Sequence, residues 1–245
     1  MVSFENITIN DNQIVDFLKH QIQIKDICQR ILSQQVIESA AQDYGVNITP
    51  EEIQAEADNQ RYQRRLESAS QTYDWLGEQL ISSDDWEAGI HAQLLQIKLA
   101  EYLFEDKIEK YFAEHRLDFE QVLLYRIAVP YAPIAQELFY QIEESEISFY
   151  EAAHLYDADE QRRLQCGYAG KPYRWALGHK IAASIFRAKV GELVGPLNFD
   201  NQYHLFMVED FITAELTPDV RSTILDRLFQ EWLDSEVNHL VYQNS

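Results

Sequence analysis

Few side chains in this sequence have the types and spacing to do chemistry. His204 stands in a β-rich run, where an imidazole is either a site residue or a structural core histidine. Asp157 and Asp159 stand in a polar stretch and read as a solvated loop or as a carboxylate pair. His154, Cys166 and His179 lack the spacing of a metal-ligand set, and Arg61, Arg64 and Arg65 read as a solvated helix face. Trp175, beside a glycine-rich loop, is the aromatic residue expected to be exposed, whereas Trp75, Trp86 and Trp232 read as core. No phosphate-binding glycine loop, dinucleotide fingerprint or nucleophile elbow is present.

These side chains need elements to hold them. Gly191 to Glu209 reads as two short strands around a turn. Leu193 to Leu197 contains Gly195-Pro196, Asp200-Asn201 supplies the turn, and Tyr203 to Val208 is the second strand. Upstream, Val122 to Val129 is strand-like, with Pro130 and Pro133 as punctuation. A helix is expected over Ala135 to Ile142, and a second one, capped by Ser148, carries Phe149, Ala152 and Ala153. A polar loop from Asp157 to Tyr173 holds two glycines, and a helix follows over Gly178 to Ala188.

Glycine is sparse before this region, and the first half reads as all-helical. From Asp11 to Tyr44 apolar residues recur at helical spacing, with Asn10 or Asp11 to start the pattern and Gly45 to end it. Thr49-Pro50-Glu51-Glu52 is a strong helix start: Thr49 caps, Pro50 fits the first helical position, and Glu52 completes a capping box. A short helix around Thr72 to Leu80 and a long one from Ser83 follow, the latter breaking near Leu103 to Asp106. After Thr217-Pro218-Asp219, a helix to Tyr242 shows Val220, Ile224, Leu228, Leu233 and Val237 on one face. A lone helix this amphipathic needs a partner, and the N-terminal helices are the natural one.

Composition sets outer bounds. A 46% hydrophobic, 12% aromatic chain should fold, and its 245 residues suffice for one large or two small domains. The net charge of −21 argues against nucleic acid or an anionic membrane as a partner. Cys28 and Cys166 suggest no disulfide framework and are expected as buried or half-buried thiols. With no apolar run of spanning length and no secretory leader at MVSFENITINDNQ, the expectation is a cytoplasmic protein without membrane insertion.

The order strand, helix, helix, glycine turn, helix, strand, strand over residues 119–213 resembles the parvulin-type peptidyl-prolyl cis/trans isomerases. Where that family's first strand ends in His-Ile-Leu-Val, this chain has Tyr125-Arg126-Ile127-Ala128-Val129. Phe149 to Ala153 matches the Phe-x-x-x-Ala helix, and the acidic position after it is matched by Asp159 and, second, by Asp157. Cys166 to Gly170 stands at the Gly-Gly-Asp-Leu-Gly turn, and Leu177 and Ile181 stand where the family's Met and Phe line the proline pocket. Ile185-Phe186 precedes Gly191-Glu192 as the family's Ala-x-Phe does, and Gln202-Tyr203-His204-Leu205-Phe206 matches its last motif with the histidine retained. The helical part, with QVIESAAQDYGVNITPEEIQAEADNQR, is similar to the N-terminal domain of SurA/PrsA-type chaperones. The resemblance implies an α+β chain: a helical domain over 1–118, a parvulin domain with a small, mainly antiparallel sheet over 119–213, and a C-terminal helix over 214–245 that folds back on the first domain.

The resemblance also implies a chemistry. Rotation about a prolyl peptide bond faces a barrier of ~18–20 kcal/mol set by amide resonance. An apolar pocket gripping the proline ring favours the twisted, less dipolar state, and each ~1.4 kcal/mol of such preference is about tenfold in rate. Leu177, Ile181, Phe186 and Phe206, with Trp175, would bind substrate; His204, Asp159, Tyr125 and Arg126 would tune the carbonyl's surroundings. No cofactor or metal is needed. Unfolded or proline-containing polypeptides are the implied partners, with a secretion or peptide-maturation system beyond them. Arg126 departs from the family, because a guanidinium only donates and stays charged. The alternative is therefore a catalytically inactive adaptor or holdase for one dedicated partner. A third reading is a structural protein whose helical half dimerises by exchanging helices.

Overall fold

The computed structural model describes residues 2–4 and 7–243. A hairpin of β1 (Val2–Phe4) and β2 (Ile7–Ile9) comes first. Helices α1 (Asp11–His20), α2 (Ile24–Tyr44), α3 (Pro50–Gln63), α4 (Ala69–Glu78), α5 (Ser83–Phe104) and α6 (Ile108–Glu114) follow. Then come β3 (Gln121–Val129), α7 (Ala132–Glu143), α8 (Phe149–Tyr156), α9 (Glu160–Leu164) and α10 (His179–Ile185). The last elements are β4 (Leu193–Phe199), β5 (Gln202–Ile212) and α11 (Pro218–Gln243). Two compact units result, residues 1–108 with 222–245, and residues 109–221.

In the first unit the core joins α2, α5 and α11. Ile37 and Ala41 meet Leu95, Leu99 and Phe104, and Phe229 and Leu233 close the cluster. Leu99 is fully buried, and each such side chain contributes ~1.5–3 kcal/mol of transfer free energy. The C-terminal helix thus packs on the N-terminal helices. The start of α3 has the capping box its residues encode: Thr49 N–H donates to Glu52 at 2.8 Å, and Glu52 N–H to the Thr49 hydroxyl at 3.3 Å. Trp86 Nε1–H donates to Gln60 Oε1 at 2.9 Å, tying α5 to α3.

Four local features differ from the sequence reading. The helical pattern over Asp11–Tyr44 is interrupted at Ile22, which takes a φ of 59°, and Gln23 N–H returns to Leu18 O to end α1. Val2–Phe4 and Ile7–Ile9 pair as antiparallel strands, where the sequence reading placed no element. Pro133, expected as punctuation, lies in the first turn of α7, where its missing N–H costs nothing. Both cysteines are exposed, not buried: Cys166 takes a φ of 52° in the turn before Gly167.

The second unit is a three-stranded antiparallel sheet of order β3-β5-β4. Side chains alternate between its two faces. Tyr125, Ile127 and Val129 of β3 pair with Met207, Leu205 and Tyr203 of β5, and this face packs against α7 and α8. Leu124, Arg126 and Ala128 pair with Val208, Phe206 and His204 on the other face, which carries the candidate site.

Candidate functional site

Four expected pocket residues meet on that second face. Phe206 is buried, and Leu177, Ile181 and Phe186 pack half-buried around it, with Val194, Leu197 and Phe199 from β4. The segment after α8 holds this wall in place by pairing with β3: Arg126 N–H donates to Gly167 O at 2.7 Å, and Leu124 N–H to Gly170 O at 3.1 Å. Gly167 is required there, since a Cβ would come within 2.8 Å of the Ala153 Cβ and 3.1 Å of the Arg126 carbonyl. Gly195 does the same for β4: its φ is 134°, and a Cβ would meet the His204 carbonyl at 2.6 Å. The close approach falls where the β4–β5 register shifts between Val194 and Leu197.

His204 forms the polar floor. It is fully buried and stacks on Phe199, ring centroids 3.7 Å apart. Arg126 Nε–H donates to its Nδ1 at 3.0 Å. A guanidinium nitrogen cannot accept, so Nδ1 carries the lone pair and the ring proton resides on Nε2, which faces Phe199 O at 3.2 Å. A second guanidinium nitrogen lies 3.5 Å from Nε2, too far to compete. Burial, and then the Arg126 charge, push the imidazole down to about 4, so His204 is neutral at physiological pH. Arg126 itself is half-buried, with its guanidinium carbon 5.1 Å from the centre of the Phe199 ring. Desolvation and the nearby Arg162 lower its pKa from the usual arginine value.

The two aspartates have separate roles. Asp157 is buried and takes a two-pronged pair from Arg162, at 2.6 Å for both Nε and a terminal nitrogen. Its Oδ1 also accepts from Asp159 N–H at 3.1 Å and Ala128 N–H at 3.4 Å. Asp159 is exposed and caps α9 by accepting from Arg162 N–H at 2.8 Å, a bond that lowers its pKa. The residue ranked first by the sequence is therefore the cap, and its neighbour is the buried anchor.

Two expected site residues lie apart from this group. Tyr125 is on the opposite face of β3, edge-on to Tyr150 at 5.0 Å and Tyr168 at 5.7 Å, because adjacent strand residues point opposite ways. Trp175 is 44% exposed and stacks on Tyr173 at 6.0 Å, outside the apolar cluster. Sequence reasoning missed Phe199 and Arg162. The position of Phe199 at the end of β4, just before the Asp200-Asn201 turn, was the available signal for the first, and an arginine three residues after a cap was the signal for the second.

No protein-family model matches the chain. The foldase protein PrsA of Caldanaerobacter subterraneus subsp. tengcongensis is 21% identical over 224 residues, covering 89% of this chain; the match spans 65% of that protein's length. The crystal structure of the peptidylprolyl isomerase PrsA from Bacillus anthracis superposes with a TM-score of 0.54 at 17% identity, over 84% of this chain and 89% of that one. The PrsA structure from Bacillus cereus gives 0.49 at 19% identity, over 99% and 91%. The chain resembles the SurA/PrsA-type proteins, and it shares its fold with the Bacillus anthracis PrsA structure; in this chain a small antiparallel sheet flanked by helices is set within a helical chain, and the last helix packs back on the first ones.

Proposed function

We propose that this chain is a parvulin-type peptidyl-prolyl cis/trans isomerase and chaperone that binds unfolded or precursor polypeptides. One observation carries the reading: Leu177, Ile181, Phe186 and Phe206 gather in one apolar cluster beside a neutral, immobilised His204. A proline ring held there leaves water, and the loss of hydration weighs more on the planar, dipolar amide than on the twisted one. Arg126 and His204 set the field at the carbonyl and need not exchange a proton with it. In the helical unit, a groove of about 350 Å³ between α3, α4 and α5 has Ile53, Ala57, Leu76 and Trp86 on its walls. Gln54, Arg61, Thr72 and Glu87 also line it, and such a mixed apolar and polar groove suits a segment of unfolded chain. Exchange spectroscopy on X-Pro peptides tests the catalytic half, with faster cis/trans exchange at catalytic protein concentrations as the expected result.

A second reading is a non-catalytic adaptor for one dedicated partner. The complete burial of His204 favours it, since a fully enclosed imidazole can serve as a structural hub for Arg126 and Phe199. Peptide binding without acceleration of exchange would support this reading.

A further inference from the structure

One buried donor among the described side chains has no partner: Nε of Arg61, on α3. Such groups are rare in folded proteins, because a desolvated donor without an acceptor is costly. Arg61 is half-buried, whereas Arg64 and Arg65, read with it as a solvated face, are exposed. Its guanidinium makes one polar contact, from Nη1 to Asp58 Oδ1 at 3.3 Å, and that oxygen also accepts from Gln54 Nε2 at 3.1 Å. Arg61 lines the groove between α3, α4 and α5. Two other donors of that groove are already used: the Thr72 hydroxyl donates to Ser68 O at 3.1 Å, and Trp86 Nε1–H to Gln60 at 2.9 Å. Pro50, Ile53, Ala57 and Arg61 recur at intervals of three or four, so they run along one face of α3 with Arg61 at its end. At ~1.5 Å of rise per residue the row is roughly 16 Å long, the span of about five residues of extended chain.

We propose that Arg61 clamps an extended, uncharged apolar segment of an unfolded chain in this groove by donating to one of its main-chain carbonyls. The inference rests on the reading of the groove as a polypeptide site and names the segment it takes. Apolar side chains of the segment meet Ile53, Ala57 and Leu76. A carboxylate is a poor occupant, because Glu87 lines the same groove and Asp58 already faces the guanidinium. A neutral carbonyl meets no such repulsion. The single long bond to Asp58 lets the side chain turn, and the donor that is unpaired in the free protein gains its acceptor when the segment binds.

The test uses the full chain and a blocked peptide without proline, acetyl-Ala-Leu-Ala-Phe-Ala-amide, compared with the same peptide carrying Asp at its centre. In an NMR titration the neutral peptide is expected to shift the amides of Ile53, Ala57 and Leu76 and to bind more tightly than the Asp peptide. Its affinity should change little between ~0.05 and ~0.5 M salt. Arg61→Met should weaken binding about fivefold. The urea midpoint of that variant should equal or exceed the wild-type value, because an unpaired buried donor has been removed, whereas loss of a purely structural arginine would lower it. Unchanged affinity in Arg61→Met, a lowered midpoint, or tighter binding of the Asp peptide overturns the clamp and leaves the groove as a polypeptide site. Folded wild type that binds neither peptide, or shifts confined to residues 109–221, overturn the clamp and the reading of the groove together. The peptides hold no proline, so neither result bears on the isomerase reading.

Discussion

Arg126 on β3 donates to Nδ1 of His204 on β5 at 3.0 Å, and through this bond a buried imidazole is held in one tautomer beside a permanent cation. The cation opposes protonation, the burial opposes it further, and Phe199 O receives the remaining ring proton. His204 is thus held as a neutral imidazole in one fixed orientation.

Replacing Arg126 with Leu removes the donor and the charge together. His204 Nδ1 is then a buried acceptor without its partner, at a cost of ~1–3 kcal/mol in stability. With the repulsion gone, the imidazole pKa should rise part of the way back toward 6.5, since burial is the larger cause of its depression. Long-range ¹H–¹⁵N spectra of the histidine rings, recorded against pH, read both the tautomer and the titration. A His204 signal that titrates alike in wild type and variant would rule out the coupling.

The His204 shift also sets a pH dependence of stability. The folded pKa, about 4, lies below the unfolded value of 6.5, so between these values the unfolded chain binds more protons. Stability should therefore be intact above about pH 6.5 and fall as pH drops toward 4, by ~2–3 kcal/mol from this group. Urea unfolding of wild type and His204→Leu across this range isolates the contribution. The variant's profile should be flatter, and parallel profiles would contradict the assignment.

Much of the chain was legible because its signals are local. Thr49, Pro50 and Glu52 make their cap within one turn, and Asp200 and Asn201 supply the two positive φ values the hairpin needs, 50° and 59°. The resemblance grouped Leu177, Ile181, Phe186 and Phe206, and the structure packs these four apolar side chains together. Tyr125 was carried along with Arg126 by position, although strand alternation separates neighbours onto opposite faces. Phe199 depends on where β4 ends against β5, and the exchange of roles between Asp157 and Asp159 depends on where Arg162 reaches. Both are tertiary facts with little local trace. Ile22 in a left-handed conformation runs against the preference of a β-branched residue, so nothing at that position announced the break.

The aspartates should separate cleanly. Asp157→Ala leaves Arg162 without its buried partner and frees the Ala128 and Asp159 amides, a loss of ~3–5 kcal/mol. Asp159→Ala removes only an exposed cap of a five-residue helix, so the loss should be small. Thermal or denaturant unfolding of the two variants gives the order directly, and a larger loss at Asp159 would contradict the account.

Gly195→Ala places a methyl group against the His204 carbonyl at a φ of 134°. The strain should cost ~1–3 kcal/mol and loosen the β4–β5 pairing beside His204. Hydrogen exchange at the amides of β5 is the measurement, with faster exchange in the variant around Leu205 expected; unchanged protection would show that the close approach is not needed.

The proposed activity places prolyl-bond turnover at the cluster around Phe206, with His204 at its floor. Exchange NMR on X-Pro peptides with wild type, Ile181→Ala and Asp159→Ala tests it most directly. The account predicts faster cis/trans exchange with wild type, a loss of about tenfold or more in Ile181→Ala, and near-normal rates in Asp159→Ala once folding is verified. Folded wild-type protein that leaves the exchange rate at its uncatalysed value would contradict the claim.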